Sequence, residues 1–126
     1  MLDIYFDGGA VPNPGQCHAA LMVEGRPMEA KLGYGTNNFA EWTALLWGME
    51  TALHRGAEDV TIMGDSKLIV MQSTGMWRIK QRDFLPIKAE FDLLRPKFRS
   101  CAVRYVPREK NLAGIHIEMQ QKLGRK

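Results

Sequence analysis

The sequence predicts an α/β fold in which a mixed five-stranded sheet, three antiparallel strands then two parallel ones, is flanked by helices. Two observations predict it. Apolar segments broken by Gly- and Pro-rich turns fill the first part of the chain, and from residue 38 helical periods of three and four alternate with short apolar runs.

Leu2 to Phe6 alternates polar and apolar side chains as a strand does, and Asp7-Gly-Gly-Ala-Val-Pro-Asn-Pro-Gly15 reads as a turn-rich loop. Cys17 to Val23 and Met28 to Leu32 read as two more strands joined across Glu24-Gly-Arg-Pro27, a hairpin that makes the start antiparallel. Phe39, Trp42, Leu45, Leu46, Met49 and Leu53 form one apolar stripe, which predicts a helix over 38–55 with Gly56 as its stop. Val60 to Met63 is a fourth strand ended by Gly64-Asp65, and Ser66 to Ser73 reads as a helix with Leu68, Ile69 and Met71 available for burial. Asp83 to Phe98 carries Phe84, Ile87, Phe91, Leu94 and Phe98 at helical spacing, with Pro86 tolerated in the first turn. Cys101 to Val106 is the fifth strand, and a closing helix is expected from Glu109.

Length and composition narrow the class. At 126 residues one domain, 1–126, is expected, and 45% hydrophobic with 25% charged residues argues against a disordered or fibrous protein. The first residues lack a basic leader with a long apolar segment, and no stretch approaches the ~18 apolar residues of a membrane span. A soluble, cytoplasmic, monomeric protein with no membrane partner is therefore expected. Cys17 and Cys101 match no metal-binding or redox spacing and are expected to be buried thiols.

Charge is unevenly spread. Residues 1–65 hold 3 Lys/Arg against 9 Asp/Glu, and residues 66–126 hold 14 against 5. An acidic, metal-binding half beside a basic, phosphate-contacting half fits a nucleic-acid protein, with a mixed solvated surface as the plainer alternative.

Asp7 and Asp65 each follow an apolar strand. A right-handed crossover through the intervening helix lays those strands parallel, so both carboxylates emerge at one sheet edge, where open α/β sheets bind ligands. Glu41, in the first turn of the long helix, can face the same crevice. Taken singly, each acid has an ordinary role open to it: Asp7 as a turn residue, Asp65 as a helix cap, Asn38 with Glu41 as a capping box. Taken together, three carboxylates in one crevice repel unless cations neutralise them, and all-oxygen ligation suits Mg²⁺ or Mn²⁺ rather than zinc. A pair of such ions is the arrangement that supports in-line displacement at phosphorus.

Asp7 to Gly15, Thr36-Asn-Asn-Phe-Ala-Glu41 and Gly64-Asp-Ser-Lys-Leu68 resemble, in order and spacing, the three leading motifs of type 1 ribonuclease H. Trp77-Arg-Ile-Lys80, the basic helix after it and Val106-Pro-Arg-Glu-Lys-Asn-Leu-Ala113 resemble the family's later segments, so the resemblance covers nearly the whole chain. It implies a ribonuclease H-like fold, an RNA–DNA hybrid as partner, cleavage of the RNA strand to 5′-phosphate and 3′-hydroxyl ends, and Asp7, Glu41 and Asp65 as ligands in a two-ion mechanism. It also implies that Asn13, Asn37 and Asn38 contact the minor groove, where 2′-hydroxyls mark the RNA strand, and that Thr36 helps hold a phosphate of the DNA strand. Lys67 stands where the family often has Gln and would contact the groove or a phosphate. Trp77, with Arg78, Lys80 and Arg82, has the mixture of a nucleic-acid surface, or of an ordinary basic loop with Trp77 in the core.

The pattern breaks once. Where the family's last motif opens the final helix with a fourth carboxylate, Asn111-Leu-Ala-Gly114 puts Gly114 at the Asp position. Glu118, one helical turn on, is expected to stand in as catalytic and metal-ligating residue, while His116 would face elsewhere. The alternatives are a site working on three ligands, or a weak or inactive hybrid-binding module. A nuclease of the same fold acting on DNA or on Holliday junctions is disfavoured by the Asn cluster.

Overall fold

The structure, a computed structural model, describes residues 1–123; the last positions of the expected 1–126 domain lie outside the described residues. The elements are β1 (Leu2–Ala10), β2 (Gly15–Val23), β3 (Arg26–Gly35), α1 (Asn37–His54), β4 (Asp59–Gly64), α2 (Lys67–Ser73), α3 (Leu85–Leu94), β5 (Ser100–Tyr105) and α4 (Leu112–Lys122). They form one sheet in the order β3-β2-β1-β4-β5, with β2 antiparallel to both β1 and β3, and β4 parallel to both β1 and β5. This is the mixed sheet expected from the sequence.

The core lies between the sheet and α1. Ile4, Phe6, Leu21 and Ile62 from the strands and Trp42, Leu45 and Met49 from the helical stripe are all fully buried. Each such side chain contributes roughly 1.5–3 kcal/mol by leaving water. Trp42 also packs edge-on against Phe91 of α3, with ring centroids 6.0 Å apart at 86°. Its indole N–H donates to Oε1 of Gln72 at 3.0 Å, so the one polar atom of the largest core residue is satisfied.

Several boundaries differ from the sequence reading. β1 does not stop at Phe6: its pairing with β2 continues through Asp7–Ala20, Gly8–Ala19, Gly9–His18 and Ala10–Cys17. A Gly-rich segment with little strand preference of its own is held extended by its partner strand. The hairpin turns on two residues, Glu24 (φ 52°) and Gly25 (φ 77°), both left-handed. A turn that tight lets β3 begin at Arg26 and run longer than Met28 to Leu32.

The long helix starts at Asn37 and is capped by Thr36, whose hydroxyl accepts from the Phe39 N–H, so the Asn38–Glu41 capping box does not form. Ser66 caps α2, leaving Asp65 free of that duty. The single helix expected over 83–98 is α3 with a 3₁₀ turn at each end, the second containing Pro96, which has no N–H to continue the α ladder. The closing helix starts at Leu112 rather than Glu109, after a 3₁₀ turn over Arg108–Lys110. Cys17 and Cys101 are buried and free, as expected. No helix among the described residues is long and apolar enough to cross a membrane.

The approach of α1 to β1 depends on Gly8, where a Cβ would run into the Ala40 carbonyl and come within 2.7 Å of the Glu41 nitrogen. Since backbone cannot move aside as a side chain can, Gly8→Ala is expected to cost about 1–3 kcal/mol by overpacking. Chemical denaturation would show this as a lower midpoint at unchanged slope.

Candidate functional site

The site forms where β1 outruns β4. Parallel pairing of these strands ends at Tyr5–Met63, whereas β1 pairs with β2 as far as Ala10. Beyond that point the backbone groups of β1 on the β4 side need other partners. Asn111 Nδ2 donates to the Phe6 carbonyl at 2.9 Å, Gly8 N–H donates to Glu41 Oε1 at 2.7 Å, and Ala10 N–H donates to Asn37 Oδ1 at 2.7 Å. Three side chains from two helix starts are thereby tied to the strand that carries Asp7.

Oxygens of Asp7, Glu41 and Asp65 lie within 4.8 Å of one another. Glu41 is only 6% exposed. Burial, with the neighbouring Asp7 and Asp65 charges added, pushes its pKa well above the ordinary carboxylate range, against the bond from Gly8. Burial likewise raises Asp7, helped by Asp65 and opposed by the Glu41 hydrogen bond, His18 and Arg108. Without a counter-charge both carboxyls are therefore harder to ionise than in water. An all-carboxylate set of this compactness, unwilling to ionise alone, fits a hard divalent cation.

A cleft of about 470 Å³ runs from these acids to Gly114, Ile117 and Glu118 on one face of α4. Asn111 sets that helix start. Its Oδ1 accepts from the Ala113 N–H at 3.1 Å and the Gly114 N–H at 3.5 Å, while its amide holds β1. A Cβ on Gly114 would stand 3.4 Å from Asp7 Oδ2, so this position does abut the acidic cluster, and here it offers no side chain. Glu118 lines the cleft as expected but lies outside the three-acid group. Its Oε1 instead pairs with Arg108 Nε at 3.5 Å. His116 faces away, with Nε2 at 2.8 Å from Glu29 Oε2.

Asn37 and Asn38 line the cleft. Asn13 anchors the loop before β2, its Oδ1 accepting from the Asn37 N–H at 3.0 Å. The carbonyl ends of Asn13 and Asn37 are thus spent on backbone, and their NH₂ ends are the groups that can meet a ligand. Thr36 lines a separate pocket with Pro14, Tyr34, Phe39 and Asp83. Lys67 is exposed at the start of α2, outside the residues lining the acidic cleft. Trp77 is 42% exposed and outside the core, which removes the buried-loop reading. Sequence reasoning missed His18 and Arg108 as cleft residues. Arg108 sits within the quoted Val106–Ala113 run, but nothing local marks His18, which reaches the site only through the β1–β2 register.

The comparisons agree with this geometry. Residues 19–115 match the family model described as reverse transcriptase-like. The structure superposes on the N-terminal RNase H domain of rv2228c from Mycobacterium tuberculosis with a TM-score of 0.81 at 31% identity, covering 91% of this chain and 93% of that one. The chain belongs to the type 1 ribonuclease H family. Ribonuclease HI of Halobacterium salinarum is 31% identical over 116 residues, 85% of this chain and 57% of that protein. LC11-RNase H1, solved in complex with RNA/DNA hybrid, superposes with a TM-score of 0.81 at 28% identity, covering 89% of each chain. The chain spans 31% of the length of the mycobacterial curated relatives it also matches.

The raised acids make stability depend on pH and cation. A carboxyl whose folded pKa exceeds its unfolded one contributes stability at low pH and loses it as pH rises through the folded value. In EDTA, the melting temperature of Glu41→Gln relative to the parent chain is therefore expected to increase as pH climbs above the ordinary 4.5. Excess Mg²⁺ or Mn²⁺ should close that gap, as thermal melts at several pH values would show.

Proposed function

We propose that the chain is a divalent-metal-dependent endonuclease that hydrolyses the RNA strand of RNA–DNA hybrids, leaving 5′-phosphate and 3′-hydroxyl ends. The observation that carries this reading is the meeting of Asp7, Glu41 and Asp65 within 4.8 Å in a chain of this family. The hybrid-bound LC11-RNase H1 neighbour supports the substrate class.

Asp7, Glu41 and Asp65 would hold the cation, Mg²⁺ or Mn²⁺. When bound, such a cation supplies Lewis acidity toward phosphoryl oxygens and toward water. Gly8 fixes Glu41 by its N–H, so the most buried ligand has one orientation. The amides of Asn13, Asn37 and Asn38 serve as donors toward 2′-hydroxyls in the minor groove. Thr36 and Lys67 contact phosphate, and the half-exposed ring of Trp77 stacks on a sugar or base. Glu118 acts on Arg108 rather than as a fourth ligand.

A second reading, a hybrid-binding module with little or no catalysis, is favoured by one observation: Gly114 leaves the α4 side of the cluster without a carboxylate. A labelled hybrid incubated with Mg²⁺ or Mn²⁺ separates the two. Cleavage of the RNA strand, with an all-DNA duplex left intact, is the expected result. A gel shift without product would instead support the binding module. Residues that merely orient metal ligands are worth 10–100-fold, so Asp7→Asn, which alters a ligand, is expected to lower the cleavage rate by at least about 100-fold. Equal rates would remove Asp7 from the chemistry.

A further inference from the structure

We infer that this site takes one divalent cation, and that the place beside Asp7 on the α4 side, where a second would sit, belongs to substrate phosphate contacted by Arg108 and His18. The inference rests on the hydrolase reading above and departs from the two-ion arrangement that the family resemblance implies. Three observations lead to it.

First, the described donors are enough for one ion and too few for two. Each Mg–O bond is ~2.1 Å, so three oxygens within 4.8 Å of one another can close on a single cation by side-chain shifts of no more than about 1 Å. A second cation on the α4 side would find Asp7 alone. Gly114 presents no donor there, and the Glu118 carboxylate is drawn off by Arg108 at 3.5 Å.

Second, the groups that do line that side are basic. His18 pairs with Gly9 across β1 and β2, which puts its side chain on the face of the sheet that carries Asp7. The missing side chain at Gly9 lets the ring lie across the strand, where a Cβ would stand 3.2 Å from its Cε1 and 3.4 Å from its Nε2. Arg108 lines the same cleft from the turn before α4. Both line the acidic cleft together with Asp7. A guanidinium repels a cation but suits a phosphate, and imidazole is a poor ligand for Mg²⁺.

Third, Glu118 sits where it can govern this arrangement. Its pairing with Arg108 crosses from the turn to α4, and both residues line the cleft. The pair is exposed, so the contact orients Arg108 more than it stabilises the fold.

The experiment counts Mn²⁺ bound to the protein alone by electron paramagnetic resonance, in the parent chain and in Gly114→Asp. One ion per chain with an uncoupled spectrum is expected for the parent, and two ions with spin–spin broadening for the variant. Two coupled ions in the parent chain would overturn the inference, as would one ion in both. In parallel, Arg108→Gln and His18→Asn are each expected to weaken hybrid binding in Ca²⁺ about tenfold, the worth of one hydrogen bond to a charged group, with the Mn²⁺ count unchanged. Unaltered affinity in both would remove the phosphate assignment. Because the count needs no cleavage, a parent chain that binds one ion yet cuts no hybrid would defeat the hydrolase reading and leave the count standing.

Discussion

The site depends on a mismatch in strand length. β1 is paired with β2 for five residues, Phe6 to Ala10, past the point where β4 leaves it, and the exposed side of its backbone must be satisfied by something other than a strand. Glu41, Asn37 and Asn111 do this, each from the start of a helix. A buried N–H or C=O without a partner costs on the order of 1–3 kcal/mol, so the bonds that complete the sheet also fix which helix residues stand beside Asp7. Gly8 is part of the same constraint, because only a residue without a side chain lets α1 come this close.

What this arrangement makes stable as a backbone, it makes unfavourable as a set of charges. Glu41 is buried with two other acids at hand, and Asp7 shares its difficulty. Such a cluster is costly in the cation-free protein, as the strained part of a fold commonly is where it binds a ligand. Gly114 lightens that cost by withholding a fourth negative charge from Asp7, while His18 and Arg108 add basic groups on the same side. Both the acids and the bases of the cleft thus act on one carboxylate.

The mixed five-stranded sheet and the identity of the acids were legible in the sequence because each has a local signal. Apolar period separates strands from helices, and Asp7 and Asp65 follow apolar runs that end in glycine or lead into it. The ends of elements were less legible. Nothing in Asp7-Gly-Gly-Ala10 favours a strand, and the segment is extended only because β2 lies beside it. The capping roles also went to unexpected residues: Thr36 rather than Asn38 caps α1, since the helix begins at Asn37, two residues before its apolar stripe. Among site residues, Asn37 turns out to have a structural bond and a cleft position together, a combination that propensity alone presents as a choice.

By itself the sequence determined the fold class, the convergence of Asp7, Glu41 and Asp65, and the absence of a carboxylate at Gly114, because each follows from residue type read at a known spacing. Only the tertiary structure decided that Glu118 faces Arg108 and that His18 lies across Gly9. Those contacts join residues 10 and 9 positions apart through a turn–helix junction and a strand register. Their partners are set by how elements pack, which no local pattern encodes.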